Sequence, residues 1–234
     1  QAQKEDGAIP DVAPAFWNYY TDNITWPGTY LMVADMLYQQ YGDKQAIVKH
    51  YPSMKKWMWY MKDKYMKNNL IGRDKYGDWC VPPESLELIH AKDSLLNTSG
   101  ELIASAYYYY FLQMMQKFAL LSNQESDIAQ YQSVAASLKQ AFNQRYYNKD
   151  KKWYSNNSIT SNLLPLAFGI AEQANREAIF NNIYNKIKID NHMHISTGVI
   201  GTQWLMRMLT EFQRSDIAFT LASNKTYPSW GYMV

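Results

Sequence analysis

The sequence is short of cysteine, of net charge and of long apolar runs. Cys80 is the only cysteine among the 234 residues, so the chain can form neither an internal disulfide nor a zinc site built from several thiolates. Lys and Arg total 23 against 21 for Asp and Glu, which leaves a formal net charge of +2 and not the basic excess typical of nucleic-acid-binding proteins. No apolar run approaches the roughly 20 residues of a membrane-spanning helix. We therefore expect neither a nucleic-acid partner nor a membrane span.

Linkers and leader signals are missing as well. No stretch rich in Pro, Gly or Ser divides the chain, and this predicts one domain over residues 1–234. The hydrophobic fraction of 47% is enough for a sizeable core, so a secreted location would not require disulfides. The segment after Gln1 has no charged and apolar signal region, and we expect any export signal to have been removed or to lie outside this chain.

What the sequence does contain is helical periodicity. Apolar residues recur with the i, i+3, i+4, i+7 spacing of a helical face and predict eight helices in four antiparallel pairs. The first helix covers about 30–41 and ends at Gly42, and the second follows Asp43, with Pro52 marking a kink or a late start. The third begins with a capping box of Thr98 and Glu101. The fourth carries apolar residues between positions 128 and 142.

The second half repeats this arrangement with shorter helices. The fifth helix is capped by Ser161, with Pro165 near its first turn, and the sixth is capped by Asn175. The seventh passes through 203–208, and the eighth is capped by Ser215. Strand patterns are nearly absent, and only residues 146–156 suggest a short β-hairpin.

The lengths of the connections alternate between short and long. Links within each pair are short, at 42–43, 123–125, 172–175 and 213–215, whereas links between pairs are long, at 68–97, 146–160, 188–196 and from 225 onward. Antiparallel pairs laid side by side place all the long links at one end. This geometry resembles that of an all-α (α/α)6 toroid, of which about four of the six hairpins are visible. We therefore expect part of a larger catalytic domain.

The long links collect side chains suited to carbohydrate binding. Indole faces stack on the C–H faces of sugars, and carboxylates and imidazoles bind sugar hydroxyls. Each residue has a structural alternative: the tryptophans could plug the core, Asp78 could form a turn or cap a helix, and a histidine could serve only as a hydrogen-bonding group in its loop. The candidates are Trp17, Trp26, Asp78, Trp79, Glu84, Trp153, His192, His194 and Trp230.

Other chemistries find little support. His192 and His194 lack an Asp, Glu or Cys partner at ligand spacing, so no metal site is expected. The glycine-containing stretches lack the lysine of a phosphate-binding loop, and no serine lies in a nucleophile elbow. We expect no cofactor. Glycoside hydrolysis needs two carboxylates, and nothing in the sequence singles out a pair among Asp11, Asp22, Asp78, Glu84 and Asp93.

Several segments, in this order, resemble a known family. They are Trp26 ahead of a helix ending LYQQYGD at 37–43, GDW at 77–79, IASAY at 103–107, HISTGVIGT at 194–202 and YPSWGY at 227–232. Together they are similar to the catalytic α/α toroid of family 78 of the glycoside hydrolases, the α-L-rhamnosidases. The resemblance covers essentially the whole chain, and its most specific parts are the last two segments.

The resemblance implies roles for particular residues. The general acid and general base of that family are glutamates, expected before Gln1 and after Val234. Trp26 and Trp79 resemble the aromatic walls of the sugar site, Asp78 a polar neighbour, and His194 and Trp230 positions on the same rim. One departure is that Trp26 is followed by PGT, where many relatives place Gly and Asp, so an acidic contact is lost or supplied elsewhere.

The expected function follows from this resemblance. It implies the central part of an inverting enzyme that releases terminal rhamnose from plant glycans or glycosides, flanked by β domains of the same parent chain and periplasmic or extracellular in a bacterium. Two alternatives stay open, namely a non-catalytic carbohydrate-binding module and a helical module that binds protein.

Overall fold

The computed structural model describes residues 2–16, 18–82 and 98–234, and helices dominate this part of the chain. Two short antiparallel hairpins accompany the helices, with Met66 paired to Ile71 and Tyr147 paired to Tyr154. The strands are β1 (Met66–Lys67), β2 (Leu70–Ile71), β3 (Tyr147–Asn148) and β4 (Trp153–Tyr154). The eight α-helices of the described residues are α1 (Thr29–Tyr41), α2 (Gln45–Tyr65), α3 (Gly100–Leu121), α4 (Ile128–Tyr146), α5 (Ile159–Ala167), α6 (Arg176–Asn185), α7 (Val199–Glu211) and α8 (Ser215–Ser223).

The helices and the β-hairpin at 146–156 confirm the sequence prediction. Helix α1 ends as expected, because Gly42 adopts a left-handed conformation with φ 68° and its N–H bonds to the carbonyl of Tyr38. Pro52 lies inside α2. The hairpin of β1 and β2 was not predicted, because a pair of two-residue strands has too few positions to show a period of two.

Three predicted helix starts are wrong in detail. Helix α5 is capped by Ser158, whose hydroxyl accepts the N–H of Ser161, and Pro165 therefore lies towards the end of the helix. Helix α3 begins at Gly100, one residue later than a cap at Thr98 predicts, and the hydroxyl of Thr98 lies 2.7 Å from that of Ser158. Ser215 is the first residue of α8 and not its cap. In each case a neighbouring polar residue also suits the start of the helix, so the sequence alone does not fix the exact residue.

The chain divides into two compact units. Unit 1 consists of Gln1–Lys75 and Gly100–Gln144, and unit 2 of Tyr76–Ser99 and Arg145–Val234. Among the residues that the structure describes, each unit holds two helical hairpins. The single domain over 1–234 that the sequence suggests stays a prediction.

Helix α3 forms the centre of unit 1. Its residues from Leu102 to Tyr109 are buried on every face, which is the pattern of a helix surrounded by protein. Helix α2 packs along it, with the rings of Trp57 and Phe111 5.8 Å apart and the Tyr108 hydroxyl donating to the Met58 carbonyl at 2.8 Å. Full burial of a side chain of this size contributes about 1.5–3 kcal/mol, so the packing of α2 on α3 is a substantial part of the core of unit 1.

Helix α5 has the same central place in unit 2. All its residues from Ile159 to Leu166 are buried, and it packs against both α6 and α7. Phe168 contacts Trp204 of α7 edge to face at 4.8 Å, and Phe180 and Phe212 stack with their ring centroids 4.1 Å apart. Across the described ranges, none of the helices is both long and apolar enough to span a membrane.

The N-terminal segment of unit 1 is fastened to α2 through Asp22. One oxygen of its carboxylate accepts hydrogen bonds from the hydroxyls of Tyr60 and Tyr65 and from the Lys64 ammonium, at 2.8 Å for Tyr60 and 2.9 Å for Lys64. Burial raises the pKa of Asp22, but the hydrogen bonds from Tyr65, Lys64 and Tyr60 and the Lys64 charge outweigh it, so the pKa lies below the ordinary value of 3.8. The ionised form therefore stabilises the folded chain.

We predict that Asp22→Asn lowers the melting temperature of the full-length protein at pH 7. Losing a hydrogen-bonded charge costs about 1–3 kcal/mol. Because the folded pKa lies below the unfolded one, the Asp22 contribution is present above about pH 4 and is lost as the pH falls through the folded value. The difference between variant and wild type should therefore shrink in melts at pH 3.

A matched control is Asp63→Asn, since the Asp63 side chain is 74% exposed and only 3.6 Å from the Lys62 ammonium. An exposed pair of this kind contributes little, so this variant should melt like the wild type at both pH values. Equal melting of Asp22→Asn and wild type at pH 7 would contradict the fastening role.

Candidate functional site

Several of the long connections of unit 2 meet at one place. The hydroxyls of Thr98 and Ser158 lie 2.7 Å apart, and His194 Nε2 lies 2.8 Å from the Thr226 hydroxyl. Asp78 contacts the beginnings of both α5 and α7. The loops that precede α5 and α7, the loop around Asp78 and the segment after α8 therefore form one cluster.

Asp78 is the centre of this cluster. Its side chain is buried, and one oxygen accepts the N–H of Gly198 at 2.9 Å and the hydroxyl of Thr160. The other oxygen accepts the N–H of Gly201 at 2.9 Å. These N–H groups belong to the first turn of α7, where intrahelical acceptors are missing. The geometry supports the helix-cap alternative for Asp78, with the cap supplied from a distant part of the chain.

The acidity of Asp78 reflects this environment. Burial raises its pKa above the ordinary value, while the hydrogen bonds from Thr160, Gly201 and Gly198 act in the opposite direction. The free-energy cost of removing the ionised carboxylate from water therefore exceeds the stabilisation that its hydrogen-bond donors provide. A buried group with both oxygens occupied is suited to holding protein segments together.

Trp79 presents its ring to solvent while its backbone is fixed. The indole is 56% exposed, which excludes a plug of the core. The Trp79 carbonyl accepts the N–H of Val199 at 2.7 Å, and the Tyr76 ring lies 6.3 Å away at 37°. An exposed indole on an anchored backbone is suited to stacking on a sugar ring. Its neighbour Cys80 is exposed as well and has a positive φ of 62°.

His194 connects two loops of unit 2. Its Nδ1 lies 2.8 Å from the His192 carbonyl and 3.2 Å from the Asn191 carbonyl, and since carbonyls only accept, Nδ1 carries a proton. Its Nε2 faces the hydroxyl of Thr226, which in turn donates to Asn224 at 2.9 Å. The imidazole is half-buried and holds the loop before α7 against the segment after α8.

Trp230 lies in a tight turn of that last segment. Its carbonyl accepts the N–H of Met233 at 3.0 Å, and the Ser229 hydroxyl accepts the N–H of Tyr232 at 3.1 Å. The Trp230 side chain is half-buried. The cluster of unit 2 thus contains Asp78, Trp79 and His194, with Trp230 a few residues from Thr226.

Trp26 belongs to unit 1, just before α1. Its carbonyl accepts from the Thr29 hydroxyl at 2.6 Å, and its half-buried side chain lines a cleft of about 680 Å³ together with Pro10, Tyr30 and His50. The structure therefore places four of the five predicted site residues in unit 2 and one in unit 1.

Among the remaining candidates, Trp17, Glu84 and Asp93 lie outside the described residues. Trp153 lies in β4, with the Lys151 ammonium 5.1 Å from its ring centroid, and the carbonyl of His192 contacts His194. Asp11 accepts the Thr21 hydroxyl at 2.7 Å, and Asp22 is occupied by its three donors. Within the described ranges, no group of three or more His, Cys, Asp and Glu side chains could hold a metal ion.

Sequence reasoning missed Thr160, Thr226 and the structural use of Gly198 and Gly201. A side chain at Gly198 would overlap with the carbonyl oxygens of Asp78 and Trp79, and one at Gly201 would overlap with Thr160. Two glycines around the start of a helix are the signal that could have indicated a close backbone approach. The residue that approaches could not have been found this way, because it lies 120 positions earlier in the chain.

Known proteins are similar to this chain in sequence. An alpha-L-rhamnosidase of Streptomyces avermitilis is 30% identical over 233 residues, which is 100% of this chain and 21% of that protein. An alpha-L-rhamnosidase of Alteromonas sp. is 28% identical, over 100% of this chain and 25% of its own length. The chain therefore spans a quarter or less of the length of these two relatives.

Solved structures agree with these matches. The Streptomyces avermitilis alpha-L-rhamnosidase complexed with L-rhamnose superposes with a TM-score of 0.86 over 99% of this chain and 21% of the other. The alpha-L-rhamnosidase from Dictyoglumus thermophilum gives 0.87 at 31% identity, over 99% of this chain and 26% of the other.

The family comparison covers the whole sequence. Residues 1–234 match the bacterial alpha-L-rhamnosidase 6 hairpin glycosidase domain. This match confirms the all-α six-hairpin fold class and the resemblance stated from the motifs. The chain therefore belongs to the six-hairpin glycosidase domain family of the bacterial α-L-rhamnosidases.

Proposed function

We propose that this chain is the central part of the catalytic domain of an enzyme that releases terminal α-L-rhamnose from plant glycans or glycosides. Its family and its relatives, which are named alpha-L-rhamnosidases, support this proposal. A structural relative in complex with L-rhamnose supports the same class of ligand.

The observation that carries the proposal is the solvent exposure of Trp79 on an anchored backbone. A large apolar ring that is 56% exposed loses favourable burial unless a ligand or partner covers it. Its backbone is anchored by the hydrogen bond from Val199, so the ring would meet a ligand with little loss of backbone entropy. The apolar face of a sugar is a partner of suitable shape.

The reaction would follow the inverting mechanism. A protonated glutamate assists departure of the leaving group, while an ionised glutamate activates a water molecule on the opposite face of the sugar. We place both glutamates outside this chain, before Gln1 and after Val234. The role of this chain would be to bind the rhamnose and to orient its anomeric carbon between the two glutamates.

Trp79 is proposed as an aromatic wall of the sugar site, and His194 and Trp230 as residues on its rim. Trp26 of unit 1 is proposed as a further sugar-binding tryptophan. His194 would reach a sugar hydroxyl by exchanging its present contact with Thr226. For Asp78, the occupied and buried carboxylate favours a role behind the sugar site over direct contact with a hydroxyl.

The wider setting is also a proposal. This chain matches 21% and 25% of the length of its two relatives, which leaves room for flanking β domains in a parent chain. A polymeric plant substrate would be met outside the cytoplasm, and we propose a periplasmic or extracellular location in a bacterium.

We predict that Trp79→Ala in the full-length protein raises KM for p-nitrophenyl α-L-rhamnoside. Loss of a stacking contact of about 1 kcal/mol corresponds to roughly a fivefold higher KM. Because the ring is 56% exposed, the melting temperature should change little. Steady-state kinetics and thermal melts measure the two effects.

The control for Trp79→Ala is Phe219→Ala, which removes a 74% exposed ring from α8 in the same unit. It should leave both KM and melting temperature near the wild-type values. A drop of several degrees for Trp79→Ala with unchanged KM would identify a packing residue instead and count against the proposal.

We predict that the 234-residue chain alone does not hydrolyse p-nitrophenyl α-L-rhamnoside, whereas the full-length protein does. The reason is that both proposed glutamates lie outside the chain. Measurable turnover by the isolated chain would overturn their placement. Rhamnose binding by the full-length protein without any turnover would favour the non-catalytic module, and binding of protein alone would favour the helical interaction module.

A further inference from the structure

We propose that Asp78 is a positioning residue of the sugar site, whose buried carboxylate ties the start of α7 to the segment that carries Trp79. The tie would hold the Trp79 indole and the loop of His194 in one fixed relation. This inference rests on the proposed function, since it assigns to Asp78 the geometry of the same site.

The carboxylate joins three segments. It accepts from Gly198 and Gly201 at the start of α7, at 2.9 Å each, and from Thr160 at the start of α5. It is itself the residue directly before Trp79. Hydrogen bonds from backbone N–H groups at a helix start to a charged acceptor are among the stronger kinds, and little water competes with them in a buried site.

The backbones of the joined segments are in direct contact. Val199 donates its N–H to the carbonyl of Trp79 at 2.7 Å, so consecutive residues 78 and 79 both bond to the start of α7. Gly198 lies so close to the carbonyl oxygens of Asp78 and Trp79 that a Cβ atom at this position would overlap with them. The position of the Trp79 backbone is therefore set by α7.

The same helix start controls the loop of His194. Between His194 and Gly198, the side chains of Ile195 and Thr197 are buried, with 6% and 2% exposed. The hydroxyl of Thr197 lies 2.8 Å from that of Thr202 in the first turn of α7. A shift of the helix start would therefore move His194 and Trp79 together.

Direct sugar binding by Asp78 fits this arrangement poorly. The residue is 7% exposed, and each carboxylate oxygen already accepts from protein donors. A hydroxyl of a sugar would have to enter this buried space and compete with the backbone N–H groups of α7 for the same oxygens, which would weaken their hydrogen bonds. A role that acts through Trp79 and the His194 loop avoids this cost.

The test uses two variants in the full-length protein. Asp78→Asn keeps the shape but presents an NH₂ group to one of the α7 N–H donors. Thr160→Val removes only the hydroxyl that bonds to Asp78 and leaves the Asp78 charge in place. KM and kcat for p-nitrophenyl α-L-rhamnoside, the pH profile of kcat and the melting temperature are measured for each variant and for the double variant.

If Asp78 is a positioning residue, both single variants raise KM by about three- to tenfold, with kcat and the limbs of its pH profile little changed. The double variant is no worse than Asp78→Asn, because both changes act through one contact. Thr160→Ser restores the hydroxyl and should return KM towards the wild-type value. Thr210→Val, on the exposed surface of the same helix α7, leaves KM unchanged.

Two results would overturn the inference. A large KM effect of Asp78→Asn with wild-type KM for Thr160→Val would assign Asp78 to direct sugar contact. Lower melting temperatures with wild-type KM in both variants would leave it a purely structural cap. If instead the wild-type full-length protein neither binds nor cleaves rhamnosides, the proposed function fails first, and this result is distinguishable because it appears without any substitution.

Discussion

A helix that starts inside a protein needs acceptors for its first N–H groups, and α7 finds one in the carboxylate of Asp78. The acceptor lies 120 residues from Gly198 in the chain, so the contact closes a long loop as well as capping a helix. Thr160 brings the start of α5 to the same carboxylate. The loop cluster of unit 2, and with it the proposed sugar site, is organised around this one interaction.

Unit 1 uses polar groups differently. Its centre is the apolar helix α3, and two of its charged contacts fasten other segments to α2. Asp22 holds the N-terminal segment through Tyr60, Lys64 and Tyr65, whereas Asp127 holds the turn before α4 through Lys55 at 2.7 Å and Tyr51 at 2.8 Å. In both cases a lysine and at least one tyrosine of α2 serve one carboxylate, so polar side chains at different positions around α2 anchor other segments of unit 1.

The order and type of the helices could be read from the sequence, because periodicity and short links are local properties. Gly42 shows this well, since a left-handed helix end needs no partner from elsewhere. The sequence predicts Ser161 as the cap of α5, whereas the structure has Ser158 in this position. Both serines suit the position locally, so the sequence does not distinguish them. The partners of Asp78 were out of reach for the same reason. The sequence could mark Asp78 as either a sugar ligand or a cap, but the donors of Gly198, Gly201 and Thr160 become neighbours only after folding.

The surroundings of Cys80 have a practical consequence. It is the only thiol in this chain, it is exposed, and it directly follows Trp79. A maleimide-linked fluorophore or spin label on this chain would therefore attach at one defined point beside the proposed stacking surface. Such a reporter would sense the arrival of a ligand optically or magnetically, without any substitution in the 234 residues.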